Sequence, residues 1–227
     1  LGRDRQGSGV VIGAEGLVLT IGYLVLEADQ VELVTDDQRI VPARVMGYDV
    51  ATGFALVQAL APLRIEPVPL GLASRLDDAE PLLVASGGAQ GDIGMAQLVS
   101  RRAFSGYWEY HIDGALFTAP PHDAHSGAGL FNRRGELVGV GSLRVTDAGG
   151  PGQPRLQGNM FVPVDLLEPI LPELRATGSS TPSQRAWIGV SCVENDGQLR
   201  VVRVNEDSPA DVAGLRTTAR RDGDQWV

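Results

Sequence analysis

The sequence contains no lysine, one cysteine and only three histidines. Its basic side chains are 19 arginines, which are outnumbered by 28 acidic side chains and leave a net charge of −9. A surface that binds nucleic acid or an anionic membrane needs a basic patch, so this balance argues against both kinds of partner. Arginine in place of lysine is typical of codon usage in a GC-rich genome. The single cysteine, Cys192, excludes an intrachain disulfide.

The sequence also lacks any hydrophobic run of about eighteen residues or more, which excludes an ordinary membrane-spanning helix. Residues 1–5 do not resemble a signal peptide. Apolar residues make up 43% and charged residues 21% of the 227 residues. This composition predicts a globular protein with one large core or two smaller ones.

Most of residues 7–166 has the pattern of short β-strands. Runs rich in β-branched residues and leucine alternate with glycine, proline and Asn/Asp, which is typical of β-barrels and sandwiches. A helix is predicted over residues 164–174 from its apolar spacing and from Pro163 just before it. The predicted strands are 9–12, 17–20, 30–34, 40–48, 53–58, 81–86, 93–100, 115–118, 129–131, 137–143 and 158–162.

Two segments far apart in the sequence indicate a serine-protease site. Residues 124–132, which include Ser126, have the pattern of a nucleophile loop that leads into a hairpin. Residues 7–20 have the pattern of the hairpin that carries the general base, but the base position holds Tyr23. This matters because a serine hydroxyl is a weak nucleophile without an adjacent base.

Together these segments resemble the HtrA (DegP-like) family of trypsin-fold serine proteases. The resemblance also covers residues 49–57, similar to the family's acid-bearing strand, and residues 160–165, similar to the end of its second barrel. It implies a mainly β fold, with two six-stranded β-barrels followed by a PDZ domain, which is partial in this chain. The implied parts are a protease domain over 1–175, with barrels at about 7–83 and 84–166 and a closing helix at 164–174, a linker over 176–186 and a PDZ domain over 187–227.

The chain departs from the family pattern at the catalytic positions. Tyr23 stands where the family has its histidine, and Gly53 stands where it has its aspartate. Ser126 is kept, but the glycine two residues before it is Ala124, and His125 lies between them. Two of the three triad members are therefore missing, and the oxyanion loop of Ala124, His125 and Ser126 is altered.

These departures argue against proteolysis. Tyrosine has an ordinary pKa near 10, so it is protonated and a poor base at neutral pH. Gly53 has no side chain to orient a base. Triad members act as a unit, so such losses lower turnover by about 10⁴- to 10⁶-fold. Ala124 predicts a rearranged oxyanion hole, because alanine is strained in backbone conformations that glycine adopts readily.

The three histidines are the candidates for a surrogate base. His122 lies four residues before Ser126 and is the best placed, whereas His125 is adjacent to the serine and is expected to point away from it. His111 follows an aromatic segment and is expected on the barrel surface. His122, Asp123 and His125 lack a complete ligand set, so we predict no metal site and no cofactor.

The C-terminal region has features of a second domain. Trp187, Ile188, Gly189 and Val190 resemble the loop that holds a peptide's C-terminal carboxylate in HtrA-type PDZ domains. A strand is predicted at 199–204, and Ser208 followed by Pro209 predicts the start of a helix. After Arg216 the family pattern breaks off, which predicts that residues are omitted before Thr217. Residues 221–223 are similar to the final hairpin of the domain.

The hypothesis that best fits these features is a non-proteolytic HtrA-like protein. It would bind peptides or unfolded protein termini in protein quality control, or regulate an active HtrA relative. The resemblance implies a homo-oligomer, a trimer, in the bacterial periplasm or cell envelope. One alternative is an active serine endopeptidase that uses Ser126 with a non-standard base. Another is an assembly module that neither cleaves nor binds peptides.

Overall fold

The protein is described by a computed structural model that covers residues 4–77, 79–87, 91–106, 111–183, 187–195, 198–217, 221–222 and 225–226. The chain divides into two compact units, residues 1–183 and 184–227. Strands dominate the first unit, so the predicted mainly β class is confirmed. No helix in the described ranges is both long and apolar enough to cross a membrane.

The first half of unit one is an antiparallel sheet of five strands. Their spatial order is β1-β2-β5-β4-β3. The strands are β1 (Val10–Gly13), β2 (Leu17–Ile21), β3 (Val31–Val34), β4 (Ile40–Tyr48) and β5 (Phe54–Ala59).

This sheet is not the closed six-stranded barrel that the resemblance implied. Among the described residues β1 and β3 remain at its edges. The segment that follows β5 makes a single backbone bond to β1, in which Val68 N–H donates to the Val11 carbonyl at 2.9 Å. Pro67 and Pro69 flank Val68. Because proline has no N–H to donate, this segment cannot form a continuous ladder.

The second half of unit one is a closed barrel of six strands, in the order β10-β11-β8-β7-β6-β9. The predicted barrel boundary between residues 83 and 84 is wrong, because it falls inside the first of these strands. The strands are β6 (Pro81–Ala85), β7 (Ile93–Ser105), β8 (His111–Ala119), β9 (Gly129–Phe131), β10 (Leu137–Val145) and β11 (Gly158–Pro163).

The predicted closing helix is divided into two pieces. A 3₁₀ turn covers Val164–Leu166, and the helix α1 covers Leu171–Thr177. Pro169 lies between them, where a continuous helix would need its missing N–H. Leu167 and Leu174 are fully buried, so the apolar spacing correctly predicted burial although the helix itself is interrupted.

The two halves share one apolar core. Its largest cluster contains Leu19 and Phe54 from the first sheet, Phe117 and Val162 from the second barrel, and Leu174 from α1. Side chains presented by the two halves are therefore held in a defined relative position, since close-packed interiors resist deformation.

A buried carboxylate fixes the segment that follows α1. Asp49 accepts hydrogen bonds from the Thr52 N–H at 2.7 Å, from Thr52 Oγ1 at 2.6 Å, from Ser183 Oγ at 2.5 Å and from Ser180 Oγ. Burial alone would raise the pKa of Asp49, but the bonds from Ser180, Ser183 and Thr52 outweigh it and hold the pKa below its ordinary value. Residues 176–183 of the predicted linker therefore belong to the first unit.

The second unit contains two small antiparallel ladders. One pairs β12 (Val190–Asn195) with β13 (Gln198–Val204), and the other pairs β14 (Arg221–Asp222) with β15 (Gln225–Trp226). Helix α2 (Pro209–Val212) begins as predicted, with Ser208 Oγ accepting the Asp211 N–H at 3.2 Å. The strand predicted at 199–204 is confirmed, whereas the PDZ assignment and the omission after Arg216 stay predictions.

Replacing Asp49 with asparagine tests the buried carboxylate. Asp49→Asn should lower the free energy of unfolding at pH 7 by about 2–3 kcal/mol, because an amide cannot accept all four bonds. Since the folded-state pKa lies below the ordinary value, the stabilisation is complete above the unfolded pKa and is lost as pH falls toward the folded value. Urea unfolding followed by far-ultraviolet circular dichroism should therefore show the variant and the parent converging in acid.

The control is Asp29→Asn at an exposed position. A difference between Asp49→Asn and the parent that stays constant below pH ~4 would contradict the assignment of the effect to this carboxylate.

Candidate active site

The nucleophile loop is fixed by its backbone. The Ser126 carbonyl accepts the Ser8 N–H at 2.8 Å, which connects the loop to the segment that leads into β1. The Gly127 N–H donates to the Gly141 carbonyl at 2.8 Å and so connects the loop to β10. Ser126 is half-buried at the point where these two connections meet.

Two glycines are required at this crossing. Gly127 has a φ of +74°, and a Cβ there would lie 2.1 Å from the Ser8 carbonyl oxygen. A Cβ on Gly141 would lie 2.0 Å from the His125 carbonyl oxygen. A larger residue at either position would push the loop out of place, so both glycines serve the placement of Ser126.

Tyr23 occupies the position next to the serine. It lies in the 3₁₀ turn Gly22–Leu24, directly after β2. Its Oη atom is 2.8 Å from Ser126 Oγ and 2.8 Å from the Ser142 carbonyl oxygen. The structure therefore brings Tyr23 and Ser126 into contact, while their assignment to the base and nucleophile positions stays a prediction.

The direction of these two bonds follows from the available protons. The Ser142 carbonyl can only accept, and Tyr23 has one hydroxyl proton. When Tyr23 donates its hydroxyl hydrogen bond to the Ser142 carbonyl, the Ser126 hydroxyl donates to Tyr23 Oη. Both hydroxyl groups are then satisfied. A protonated phenol in this position accepts a hydrogen bond from the serine but does not take up its proton.

Gly53 contributes only its backbone. Its carbonyl accepts the Gly22 N–H at 2.7 Å, and its own N–H donates to the Asp49 carbonyl at 2.7 Å. Its φ of +78° is a conformation that L-residues with side chains rarely adopt. Gly53 therefore supports the turn that carries Tyr23, while the acid position offers no carboxylate.

The loop of Ala124, His125 and Ser126 keeps two backbone donors without a partner in the described part of the chain. The N–H groups of Ala124 and Ser126 have no acceptor among the residues that the structure describes. Ala124 is not among the described non-glycine residues with positive φ, so it avoids the strain that a glycine-like conformation would impose. The rearranged oxyanion hole stays a prediction.

His122 lies away from Ser126 and contacts another serine. The residue is 8% exposed, and its Nε2 atom is 3.1 Å from Ser86 Oγ. The backbone of His122 is also fixed, because its N–H donates to Asn159 Oδ1 at 2.6 Å. In the described chain Ser126 makes no hydrogen bond to His122, so this arrangement gives the proposed surrogate base no support.

The other two histidines are also engaged elsewhere. His125 Nδ1 is 3.0 Å from the Asp123 carbonyl oxygen, and His111 Nδ1 is 2.7 Å from Ser105 Oγ on the exposed surface. The aromatic segment before His111, residues 107–110, lies outside the described residues. No group of three or more potential metal ligands gathers within the described part of the chain.

The loop of residues 187–190 in the second unit is held by its carbonyl groups. The Ile188 carbonyl accepts the Ala210 N–H at 3.0 Å, and the Gly189 carbonyl accepts the Asn205 N–H at 2.8 Å. Trp187 and Ile188 are 54% and 56% exposed. The N–H groups of Ile188 and Gly189 have no acceptor within the described ranges.

Sequence reasoning missed two contributors to the first site. The Ser142 carbonyl accepts the hydrogen bond from Tyr23 Oη, and the Ser8 N–H donates to the Ser126 carbonyl. Both act through backbone atoms, which every residue carries. No side-chain pattern could therefore have indicated them.

Comparison with known proteins identifies the fold. Residues 7–140 match the family model for a trypsin-like peptidase domain. The chain is 28% identical over 233 residues to a protein of Ectopseudomonas mendocina named "Probable periplasmic serine endoprotease DegP-like", with 95% of this chain and 47% of the relative covered. A protein of the same name from Hahella chejuensis is 29% identical over 228 residues, with 94% and 46% covered. The chain thus spans about half the length of the curated relatives it matches.

Solved structures agree on the fold. An HtrA-type protease, AlgW with a decapeptide, superposes with a TM-score of 0.67 at 20% identity and covers 94% of this chain and 67% of its own. A serine endoprotease from Yersinia pestis gives a TM-score of 0.63 at 22% identity, with 95% and 71% covered. The predicted trypsin-like β fold is confirmed.

Fluorophosphonate labelling tests the reactivity of Ser126. The parent should label at least ~10⁴-fold more slowly than an active HtrA-type protease, because neither Tyr23 nor Gly53 can supply the missing base and acid. Intact mass should be the same for the parent and for Ser126→Ala after treatment. An adduct that the parent forms and Ser126→Ala does not would show an activated serine.

Removal of the Tyr23 hydroxyl tests its structural role. Tyr23→Phe should lower the free energy of unfolding by about 1–2 kcal/mol, because the buried Ser142 carbonyl loses its donor. Ser126→Ala keeps the bond between Tyr23 and Ser142, so urea unfolding should show a smaller loss for it. Equal losses in the two variants would contradict the central place of the Ser142 carbonyl.

Proposed function

The chain belongs to the trypsin-like peptidase family, and we propose that it is a DegP-like member that binds peptides or unfolded protein termini without cleaving them. The observation that carries the proposal is the 2.8 Å contact between Tyr23 Oη and Ser126 Oγ at the place of the general base. The neutral phenol accepts a hydrogen bond from Ser126 but does not take up the serine proton, as acyl transfer needs. The protease fold is then a scaffold for binding.

The loss of hydrolysis follows from the chemistry of acyl transfer. Serine attacks a carbonyl only when a base removes its proton as the bond forms, and a third group must orient that base. Tyr23 offers the serine a protonated phenol, and Gly53 offers no carboxylate. The alternative of an endopeptidase with His122 as base is not favoured, because His122 contacts Ser86 instead.

Peptide binding is supported by the loop of residues 187–190. The backbone N–H groups of Ile188 and Gly189, which have no acceptor among the described residues, are the donors that a terminal carboxylate requires. β12 begins at Val190 and pairs only with β13 among the described residues, so its other edge is open to an added strand. A peptide would extend the sheet there and place its C-terminal carboxylate on the loop.

The relatives suggest where and how this binding would be used. Several of them are named as periplasmic, and AlgW has been solved with peptides of different lengths. We propose the bacterial periplasm as the location and protein quality control, or regulation of an active relative, as the role. A homo-oligomer, a trimer, is part of the same proposal, and gel filtration tests it.

Peptide titration tests the binding mode. Fluorescein-labelled peptides with a free C-terminal carboxylate should bind, and the amidated versions should bind at least ~10-fold more weakly, because a charged hydrogen-bond acceptor is lost. Gly189→Ala should abolish this difference, since the new Cβ would lie 2.2 Å from the Ser208 Cβ.

The matched control is Gly87→Ala, where a Cβ would meet nothing within 4 Å. Unchanged binding by Gly189→Ala would overturn the loop as the carboxylate site. Casein incubated with the parent should remain intact, and degradation that Ser126→Ala abolishes would overturn the absence of hydrolysis.

A further inference from the structure

The outer face of the hairpin formed by β7 and β8 carries a serine, a histidine and an aspartate side by side. Ser105 and His111 are opposite one another in the ladder of these strands, and Asp113 lies two residues further along β8. Because side chains two residues apart on a strand point to the same face, the three side chains share one face. All three residues are exposed, and they lie outside the site that contains Ser126.

The inner face of the same hairpin is anchored in the core. Ile112, which lies between the histidine and the aspartate, is fully buried. Its ladder partner Phe104 packs against the largest core cluster, and the Phe104 ring meets Phe117 edge-on with the ring centroids 6.3 Å apart. The backbone that carries the three polar side chains is therefore held in place by apolar packing.

The three side chains form a continuous row of hydrogen bonds. Ser105 Oγ is 2.7 Å from His111 Nδ1, and His111 Nε2 is 3.2 Å from Asp113 Oδ1. An ionised carboxylate can only accept, so Nε2 carries the proton of the neutral imidazole. Nδ1 then has a lone pair, to which the Ser105 hydroxyl donates. The row therefore has the order of nucleophile, base and orienting carboxylate that serine catalysis uses.

Two other serine contacts in the first unit differ from this arrangement. Ser126 donates to a protonated phenol, which does not take up the serine proton. Ser86 Oγ donates to the Asp92 carbonyl at 3.1 Å, so the His122 ring donates to this serine and does not accept from it. Of these three serines, Ser105 alone donates to the lone pair of an imidazole, and imidazole takes up a proton in the neutral pH range.

We propose that Ser105, His111 and Asp113 form a second nucleophilic site, which takes an acyl group from an activated ester. A bond forms between Ser105 Oγ and the acyl carbon, and the bond from that carbon to the leaving oxygen breaks. His111 Nδ1 takes the serine proton and passes it to the leaving oxygen, so the products are an acylated serine and a free alcohol or phenol. Asp113 stabilises the imidazolium that forms on the way.

The exposure of the site decides which acyl donors it accepts. The side chains of His111 and Asp113 are 47% and 86% exposed, so water and not a closed pocket stabilises the developing oxyanion. Reaction then depends on a good leaving group. Aryl esters meet this requirement, whereas a peptide bond, with an amine as its leaving group, does not. The inference is thus independent of the proposed peptide binding and compatible with the absence of proteolysis.

Acetylation by p-nitrophenyl acetate tests the site in the variant Ser126→Ala, in which no acetyl group can enter through Ser126. The control position is Ser74, an exposed serine that makes no hydrogen bond to a histidine in the described part of the chain. After brief treatment, peptide mapping by mass spectrometry should show at least ~100-fold more acetyl on Ser105 than on Ser74, because a positioned general base contributes about this factor.

Two further substitutions in the same background separate the roles within the site. His111→Gln should lower the acetylation of Ser105 at least ~100-fold, because an amide can hydrogen-bond to the serine but cannot take its proton. Asp113→Asn should lower it by about 5-fold or less, since an exposed ion pair contributes little in water. Far-ultraviolet circular dichroism should show an unchanged fold for both. The control Asp29→Asn, exposed and outside the hairpin, should leave the acetylation of Ser105 unchanged.

Equal acetylation of Ser105 and Ser74 would overturn the proposal, and so would acetylation of Ser105 that persists in His111→Gln. Acetyl found only on His111 would also overturn it, because the imidazole would then be the nucleophile and not the base. None of these outcomes bears on the loop of residues 187–190, which the peptide titration tests separately.

Discussion

The hydroxyl group of Tyr23 connects the two halves of the protease-like unit at the place where a catalytic base would act. It reaches from the turn after β2 to Ser126 and to the Ser142 carbonyl, both of which belong to the second half. A shared apolar core holds the halves in the position that makes these bonds possible. The interaction that would drive acyl transfer in a protease is replaced by one that satisfies the serine.

The backbone around Gly53 supports the same contact. Gly53 supports the turn of Tyr23 through the Gly22 N–H, and it is itself held by the Asp49 carbonyl. The Asp49 side chain accepts hydrogen bonds from Ser180 and Ser183 and so fixes the segment after α1. The acid-bearing strand has therefore kept its framework, and its one remaining carboxylate stabilises the fold.

Sequence patterns predicted the strands well, but they failed where proline or the pairing of distant segments determines the structure. Alternation and glycine punctuation located the strands of both halves, because these signals are local. The continuous helix over 164–174 was wrong, since the apolar spacing persists across Pro169 although the backbone bonds do not. The resemblance implied a six-stranded first barrel, but only five strands pair in the described part of this half, because Pro67 and Pro69 cannot donate to a neighbouring strand.

The sequence by itself determined which chemical groups are present: Ser126 is there, and Tyr23 and Gly53 stand at the positions predicted for the base and the acid. Only the tertiary structure decided the partner of each group. Tyr23 meets Ser126 across 103 residues, Ser180 meets Asp49 across 131, and His122 meets Ser86 across 36. Such pairs depend on how sheets and barrel pack against each other, and no local periodicity carries that information.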